Sequence, residues 1–262
     1  MTSPYSSRCI AVGLLALLAA PAMSASAKED ILQVGQPLAR FDLIKPGVHR
    51  YARYMIVGEQ RSLLDLWTRR VSFETENGKR ILRVHQRWDA ADKSYVALFD
   101  QTFETGSFRP LSQAKTVTRA GVTTTQSVKF DGAKVDSIGD GAPGVGKPVH
   151  EAFPMLFYNW HTDMEFLQAL PLARGYAASI PFYDVGLEPP ARYTYAVTGE
   201  DTLSAADGTP IKCWVMEFRG KPSDPSIRYW ISKRGQVLVR EQAKSPDGVL
   251  VKTLLNPEAE DG

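Results

Sequence analysis

Cysteine is scarce, with two in 262 residues, and charge of either sign is nearly balanced at a formal +2. That balance gives no electrostatic steering toward nucleic acid. No apolar run approaches the ~20 residues of a membrane-spanning helix. The run from Ile10 to Ala20 has instead the length of a secretory core: Arg8 precedes it, and Pro21 and then Ala25-Ser26-Ala27, a small-x-small cleavage pattern, follow it. Residues 1–27 are therefore expected to be a signal peptide, cleaved after Ala27, that delivers the chain to the periplasm. Cys9 lies before the apolar core, whereas a lipid-modified cysteine follows it, so a soluble product without a lipid anchor is expected. Losing Arg8 and no acidic residue takes the formal charge from +2 to +1 and leaves Cys213 as the sole thiol. An intramolecular disulfide is then excluded, and folding must rest on the core. The remaining 235 residues, 28–262, suffice for one such core and are read as a single domain.

The signatures of common enzyme chemistry are also missing. There is no Gly-x-Ser-x-Gly elbow, no HExxH and no cysteine pair. Gly141-Ala142-Pro143-Gly144-Val145-Gly146-Lys147-Pro148 nearly spells a phosphate-binding loop, but Pro148 stands where a magnesium-binding hydroxyl is needed, and no βαβ unit surrounds it. His161 and Glu165 fall four apart, a spacing that can put two ligands on one metal, with His150 or Asp163 as possible third members. Two ligands do not make a site, and surface or helix-capping roles suit them better. Cys213 sits in the apolar stretch Ile211 to Phe218, where an inert buried thiol is the usual outcome. The sequence thus points to no catalytic residue, no metal and no cofactor, and the chain is read as a non-enzyme.

What is present is alternation. Glu76-Asn77-Gly78-Lys79 reads as a two-residue type I′ hairpin turn, pairing Phe73 with Leu82, Val71 with Val84 and Trp67 with Trp88 on one apolar face, while Arg70, Ser72 and Glu74 face water. Asp131-Gly132 reads as a second such turn, aligning Val128 with Val135, and Asp207-Gly208 and Asp247-Gly248 mark two more. Further strands are expected at Val48 to Val57, Tyr95 to Phe103, Tyr193 to Val197, Ile211 to Phe218, Ile227 to Ser232, Val237 to Gln242 and Val249 to Leu255, about ten in all. Without alternating helices as crossovers, they should form a large curved antiparallel sheet or an open, incomplete β-barrel.

One segment differs. Phe153, Leu156, Phe157, Trp160, Met164 and Leu167 recur at spacings of three and four, predicting a helix over Met155 to Gln168 laid on the concave face of the sheet. The glycine-rich stretch Ser137 to Pro148 would be a loop leading into it, placed to act as a lid. A curved sheet of this size encloses more volume than its own side chains fill. An apolar cavity lined by Trp67, Trp88, Phe99 and Phe103 from the sheet, and by Leu156, Trp160 and Met164 from the helix, is the expected ligand site.

The order of parts then resembles a known group. A signal peptide, a β meander, the helix running into Phe166-Leu167-Gln168-Ala169-Leu170-Pro171-Leu172-Ala173-Arg174-Gly175-Tyr176, then Ile180-Pro181-Phe182-Tyr183-Asp184 and the terminal block Tyr229 to Glu241, are similar to uncharacterised periplasmic domains grouped with the LolA/LolB-like lipoprotein-carrier superfamily. That resemblance implies an open barrel, capped by helix and loop, that carries acyl chains or another apolar ligand across the periplasm. Partition alone could drive such binding, since each buried methylene contributes about 0.8 kcal/mol. An envelope protein-interaction module of the same fold is the alternative, and an envelope hydrolase a weaker one.

Overall fold

The computed structural model describes residues 29–139, 144, 146–220 and 226–255; the expected signal peptide lies outside them. Sixteen strands follow in order: β1 (Asp30–Ile31), β2 (Gly47–Val57), β3 (Gln60–Glu76), β4 (Lys79–Ala90), β5 (Tyr95–Glu104), β6 (Pro110–Arg119), β7 (Val122–Asp131), β8 (Lys134–Ser137), β9 (His150–Ala152), β10 (Tyr158–Asn159), β11 (Ala177–Tyr183), β12 (Ala191–Ser204), β13 (Pro210–Arg219), β14 (Ser226–Ser232), β15 (Leu238–Ser245) and β16 (Gly248–Leu254). They form one sheet in the order β1-β11-β12-β13-β14-β15-β16-β2-β3-β4-β5-β6-β7-β8-β9, with β10 also on β11. The fold is mainly β, as expected, but the sheet is mixed rather than wholly antiparallel. Both β1 and β10 run parallel to β11.

The β3–β4 hairpin has the register that its turn dictates, with Glu76 opposite Lys79, Phe73 opposite Leu82, Val71 opposite Val84 and Trp67 opposite Trp88. Asn77 and Gly78 both take positive φ, 49° and 75°, as a type I′ turn requires. The next hairpin departs from its expected alignment. Asp131 pairs with Lys134, so Gly132 and Ala133 make the turn, and Val135 lies opposite Phe130 instead of Val128. This register puts Phe130 and Val135 into one buried cluster. Bulges at Arg53/Tyr54, Thr102/Phe103, Val197/Gly199 and Trp230/Ile231 add the local bends a curling sheet needs.

The two ends of the sheet come together without a backbone ladder joining them. Between β9 and β10 the chain needs only residues 153–157 to pass from one end of the strand order to the other. The seam is filled by Phe130 and Val135 from one side, Tyr183 and Val185 from the other, and Phe153 and Phe157 of the crossing segment between them. Phe153, Phe157 and Tyr183 make ring contacts at 4.9–5.7 Å. The Tyr183 hydroxyl donates to Glu151 of β9 and accepts from the Gly186 amide at 3.0 Å.

The helix is much shorter than its periodicity predicts. Only α1 (Asp163–Gln168) is α-helical, after a 3₁₀ turn at Trp160–Thr162. Tyr158 and Asn159 are drawn off as β10 against Phe182 and Tyr183, and the Asn159 side chain then caps the 3₁₀ turn by accepting from the His161 amide. The three-and-four spacing arises because Phe157 feeds the seam cluster while Tyr158, Met164, Phe166 and Leu167 feed the main core. Two cores served in succession imitate one helical stripe.

Candidate functional site

The core-facing side of the sheet carries a charged belt. Asp65, Arg53, Lys252, Glu241 and Tyr229 stand opposite one another in register across β3, β2, β16, β15 and β14. Arg53 grips Asp65 with two bonds of 2.8 and 2.5 Å, Tyr95 donates to the same carboxylate, and Lys252 pairs with Glu241 at 2.5 Å. Trp67 and Trp88 stack at 4.0 Å, and the Arg53 and Lys252 cations lie 4.6 and 4.3 Å from the Trp67 ring centre. Charge facing an indole is a favourable contact of about 0.5–2 kcal/mol. Trp67 therefore meets charge, while Trp88 contacts Phe99 at 4.5 Å.

One step further along the barrel, a chain of polar side chains holds α1 in place. Arg69 donates to Glu165 at 2.8 and 2.5 Å, to the Gln86 amide oxygen and to the His161 carbonyl. Gln86 also donates to the His161 carbonyl and to Gln101, Gln101 to Gln113, and Asn159 to Gln113. All of these side chains are buried and mutually satisfied, which is the condition under which a polar core does not destabilise. Asp163 stands beside this network. Burial pushes its carboxyl up to about 6; Lys252 opposes that rise and Glu241 adds to it.

The expected cavity-lining residues thus have several fates. Phe99 and Phe103 are fully buried, Met164 is in the core, and Trp67 and Trp88 are stacked as described. Leu156 is 43% exposed and does not face the interior; the chain there is still crossing the seam and has not begun the helix. The expected hollow between the helix and β3–β5 is occupied by Arg69, Gln86, Gln101 and Glu165 together with Phe99 and Phe166. Of the seven, Trp160 lines an open concavity.

That concavity is a groove of about 330 Å³ lined by Trp160, Phe182, Asp184, Leu187, Glu188, Pro189 and Tyr193. Trp160 meets Tyr193 edge-on at 4.5 Å and Phe182 at 5.5 Å. Its floor is fixed from behind: the neighbouring His161 bonds through Nε2 to Asp184 at 3.1 Å, and its ring lies 4.6 Å from Phe99 and 5.9 Å from Trp88. Trp160 reached the sequence-derived site, whereas Phe182, Asp184, Leu187, Glu188, Pro189 and Tyr193 did not. They meet Trp160 only because β10 lies parallel on β11, and no local pattern announces such a pairing.

The remaining motifs resolve simply. Glu165 is taken by Arg69 and His161 by Asp184, and among the described residues no group of three or more metal-ligating side chains gathers. Cys213 is buried. Of the glycine-rich loop, residues 140–143 and 145 lie outside the described residues; Gly144 and Gly146 exchange backbone bonds with Thr125, extending the edge of β7. No helix among the described residues is long and apolar enough to cross a membrane.

A family model described as "Protein of unknown function (DUF3108)" matches residues 64–255. No curated protein matches the chain. Among solved structures, the chain is similar to a β-barrel-like protein of the domain of unknown function DUF1849 from Brucella abortus, with 11% identity, a TM-score of 0.46 and coverage of 83% of this chain and 98% of that one. It is also similar to a DUF1089 family protein from Pseudomonas aeruginosa, with 13% identity, a TM-score of 0.35 and coverage of 64% and 86%.

Proposed function

The chain belongs to the DUF3108 family of proteins of unknown function, and we propose that it is a non-enzymatic periplasmic protein that binds or carries an apolar ligand in the Trp160 groove. The carrying observation is the groove itself: aromatic and aliphatic walls around about 330 Å³, at the lower end of the range for small-molecule sites. The export signal expected over residues 1–27 supports the compartment, and the likeness in order of parts to LolA/LolB-like domains supports the class of role. In this reading the ligand sits on the outer side of Trp160 and not between α1 and β3–β5, where Arg69, Gln86, Gln101 and Glu165 meet. A site of this size buries only part of an acyl chain. About six methylenes would contribute about 5 kcal/mol before the costs of association, which suits loading and release better than storage. His161 and Asp184 act in this reading as a clamp on the groove floor, since the imidazole is enclosed by Phe99 and Trp88 with its side chain 13% exposed.

The test is to purify the protein from the periplasm without detergent, analyse its organic extract by mass spectrometry, and titrate it with a fluorescent fatty acid. A co-purifying lipid, and probe binding that Trp160→Ala weakens at least tenfold, are expected. A clean extract with no probe binding overturns the proposal and favours an envelope interaction module. For that second reading the specific observation is the exposed apolar group Val57, Leu63, Leu64 and Leu66 on the β2–β3 hairpin.

A further inference from the structure

A second concavity, of about 200 Å³, lies beside the β12–β13 turn and shares no lining residue with the Trp160 groove. β12 supplies Leu203 and Ser204 to its wall, β15 supplies Val239 and Arg240, and β16 supplies Thr253. Arg240 and Thr253 are register partners. Their sequence neighbours Glu241 and Lys252 form the core-facing pair, so Arg240 and Thr253 stand on the outer face of the sheet. Arg240 is the one charged residue of this lining. Its Nε–H is buried without a hydrogen-bond partner, and its guanidinium forms no ion pair among the described residues. We infer that this pocket is a second ligand site, for a small monocarboxylate with a short apolar tail, its carboxylate held by Arg240.

A buried donor left without an acceptor is costly, the more so when it belongs to a charged group, so the pocket favours a guest that brings an acceptor to Nε. A carboxylate matches the planar guanidinium with two parallel bonds and supplies one negative charge for the one cation present. The hydroxyls of Thr253, beside Arg240, and of Ser204 can donate to the same oxygens. The nearest carboxylates of the chain have other partners. Asp201 accepts from the Trp230 indole at 2.9 Å, and Glu241 takes Lys252 on the opposite face. The apolar wall is prebuilt: Leu203 and Val239 belong to a small outer cluster with Ile211, Cys213 and Trp230. A volume below that of drug-sized sites limits the guest to a head and a few methylenes.

The test titrates hexanoate, hexanamide and hexylammonium into the isotope-labelled chain beginning at Lys28 and follows the arginine Nε–H resonances by NMR, with Arg240 assigned from the signal lost in R240Q. Saturable hexanoate binding that moves the Arg240 resonance is expected, with the other two probes at least tenfold weaker. R240Q should abolish it, and R240K, which keeps the charge without the fork, should weaken it severalfold. A thermal melt confirms folding; should R240Q prove unfolded, R240K carries both the assignment and the comparison. Hexanoate that leaves the Arg240 resonance unmoved, equal affinity for hexanoate and hexanamide, or binding undiminished in R240K overturns the proposal. The titration is repeated on a chain ending at Leu255, which lacks Glu258, Glu260 and Asp261. Binding seen only in that shorter chain would give the pocket to the protein's own carboxylates and overturn the external ligand.

Discussion

Arg69 shows how much of this barrel's order depends on single polar side chains. Its guanidinium satisfies Glu165, Gln86 and the His161 carbonyl at once, with its side chain 2% exposed. Removing one partner of a buried ion pair strands the other in a medium that cannot solvate it. Glu165→Ala is therefore expected to destabilise the protein by about 3–5 kcal/mol in urea unfolding, whereas an Arg69→Met/Glu165→Leu double variant should cost far less, because it leaves no charge behind. Asp163 is the opposite case, a carboxyl that burial holds near pH 6, above its unfolded value. The folded state then binds a proton more tightly than the unfolded chain, so this group stabilises the fold as pH falls through about 6 and that contribution is lost as pH rises through the same value. Asp163→Asn should be more stable than wild type above pH 6, with the difference shrinking toward pH 4. A variant no more stable at pH 8 would show that Lys252 and Arg69 already compensate the ionised carboxylate.

At the scale of elements, the seam is the weak line. Elsewhere the sheet is joined by backbone ladders, but β9 meets β11 through side chains: the Tyr183–Glu151 bond and the Phe153, Phe157 and Tyr183 rings. Tyr183→Phe should speed amide exchange in β9 and the residues after it while leaving the β3–β4 ladder protected, because local openings draw on local contacts. Uniform acceleration across the sheet would mean that the seam and the core open as one unit. These elements were unequally legible. The β3–β4 hairpin could be read to its register because Asn77-Gly78 fixes the turn and the alternation fixes the faces. The polar interior was announced too, by Arg69 and Gln86 falling on the apolar face between Trp67 and Val71 and between Val84 and Trp88, but an isolated polar residue in a strand does not name its partner. The segment from Met155 to Gln168 was misread for a physical reason: a chain that crosses a seam buries residues on both sides, and the resulting spacing matches a helix that is only six residues long. The groove was not legible at all beyond Trp160, since Tyr193 reaches it through tertiary pairing alone.

For the whole molecule, the strand order makes the two ends of the chain interdependent. β16, the last strand, lies between β15 and β2, the first long strand, with Leu254 opposite Tyr51 and Val249 opposite Ile56. It also supplies Lys252 to the charged belt, where that cation pairs with Glu241 and lies over Trp67. β16 is thus the only bridge in the sheet path between the β11–β15 half and the β2–β9 half among the described residues. A chain ending after Ser245 would expose two unpaired inner strand edges, β15 and β2, and leave the half-buried Glu241 without its cation, and each of these is a recognised route to misfolding or association. Such a truncation is expected to lose the cooperative thermal transition seen by circular dichroism and to aggregate, even though most of the seam and the whole Trp160 groove lie upstream of the cut. If the truncated chain melts cooperatively and still binds the fluorescent fatty acid, the two halves fold independently, and the contacts across the seam, not β16, hold them together.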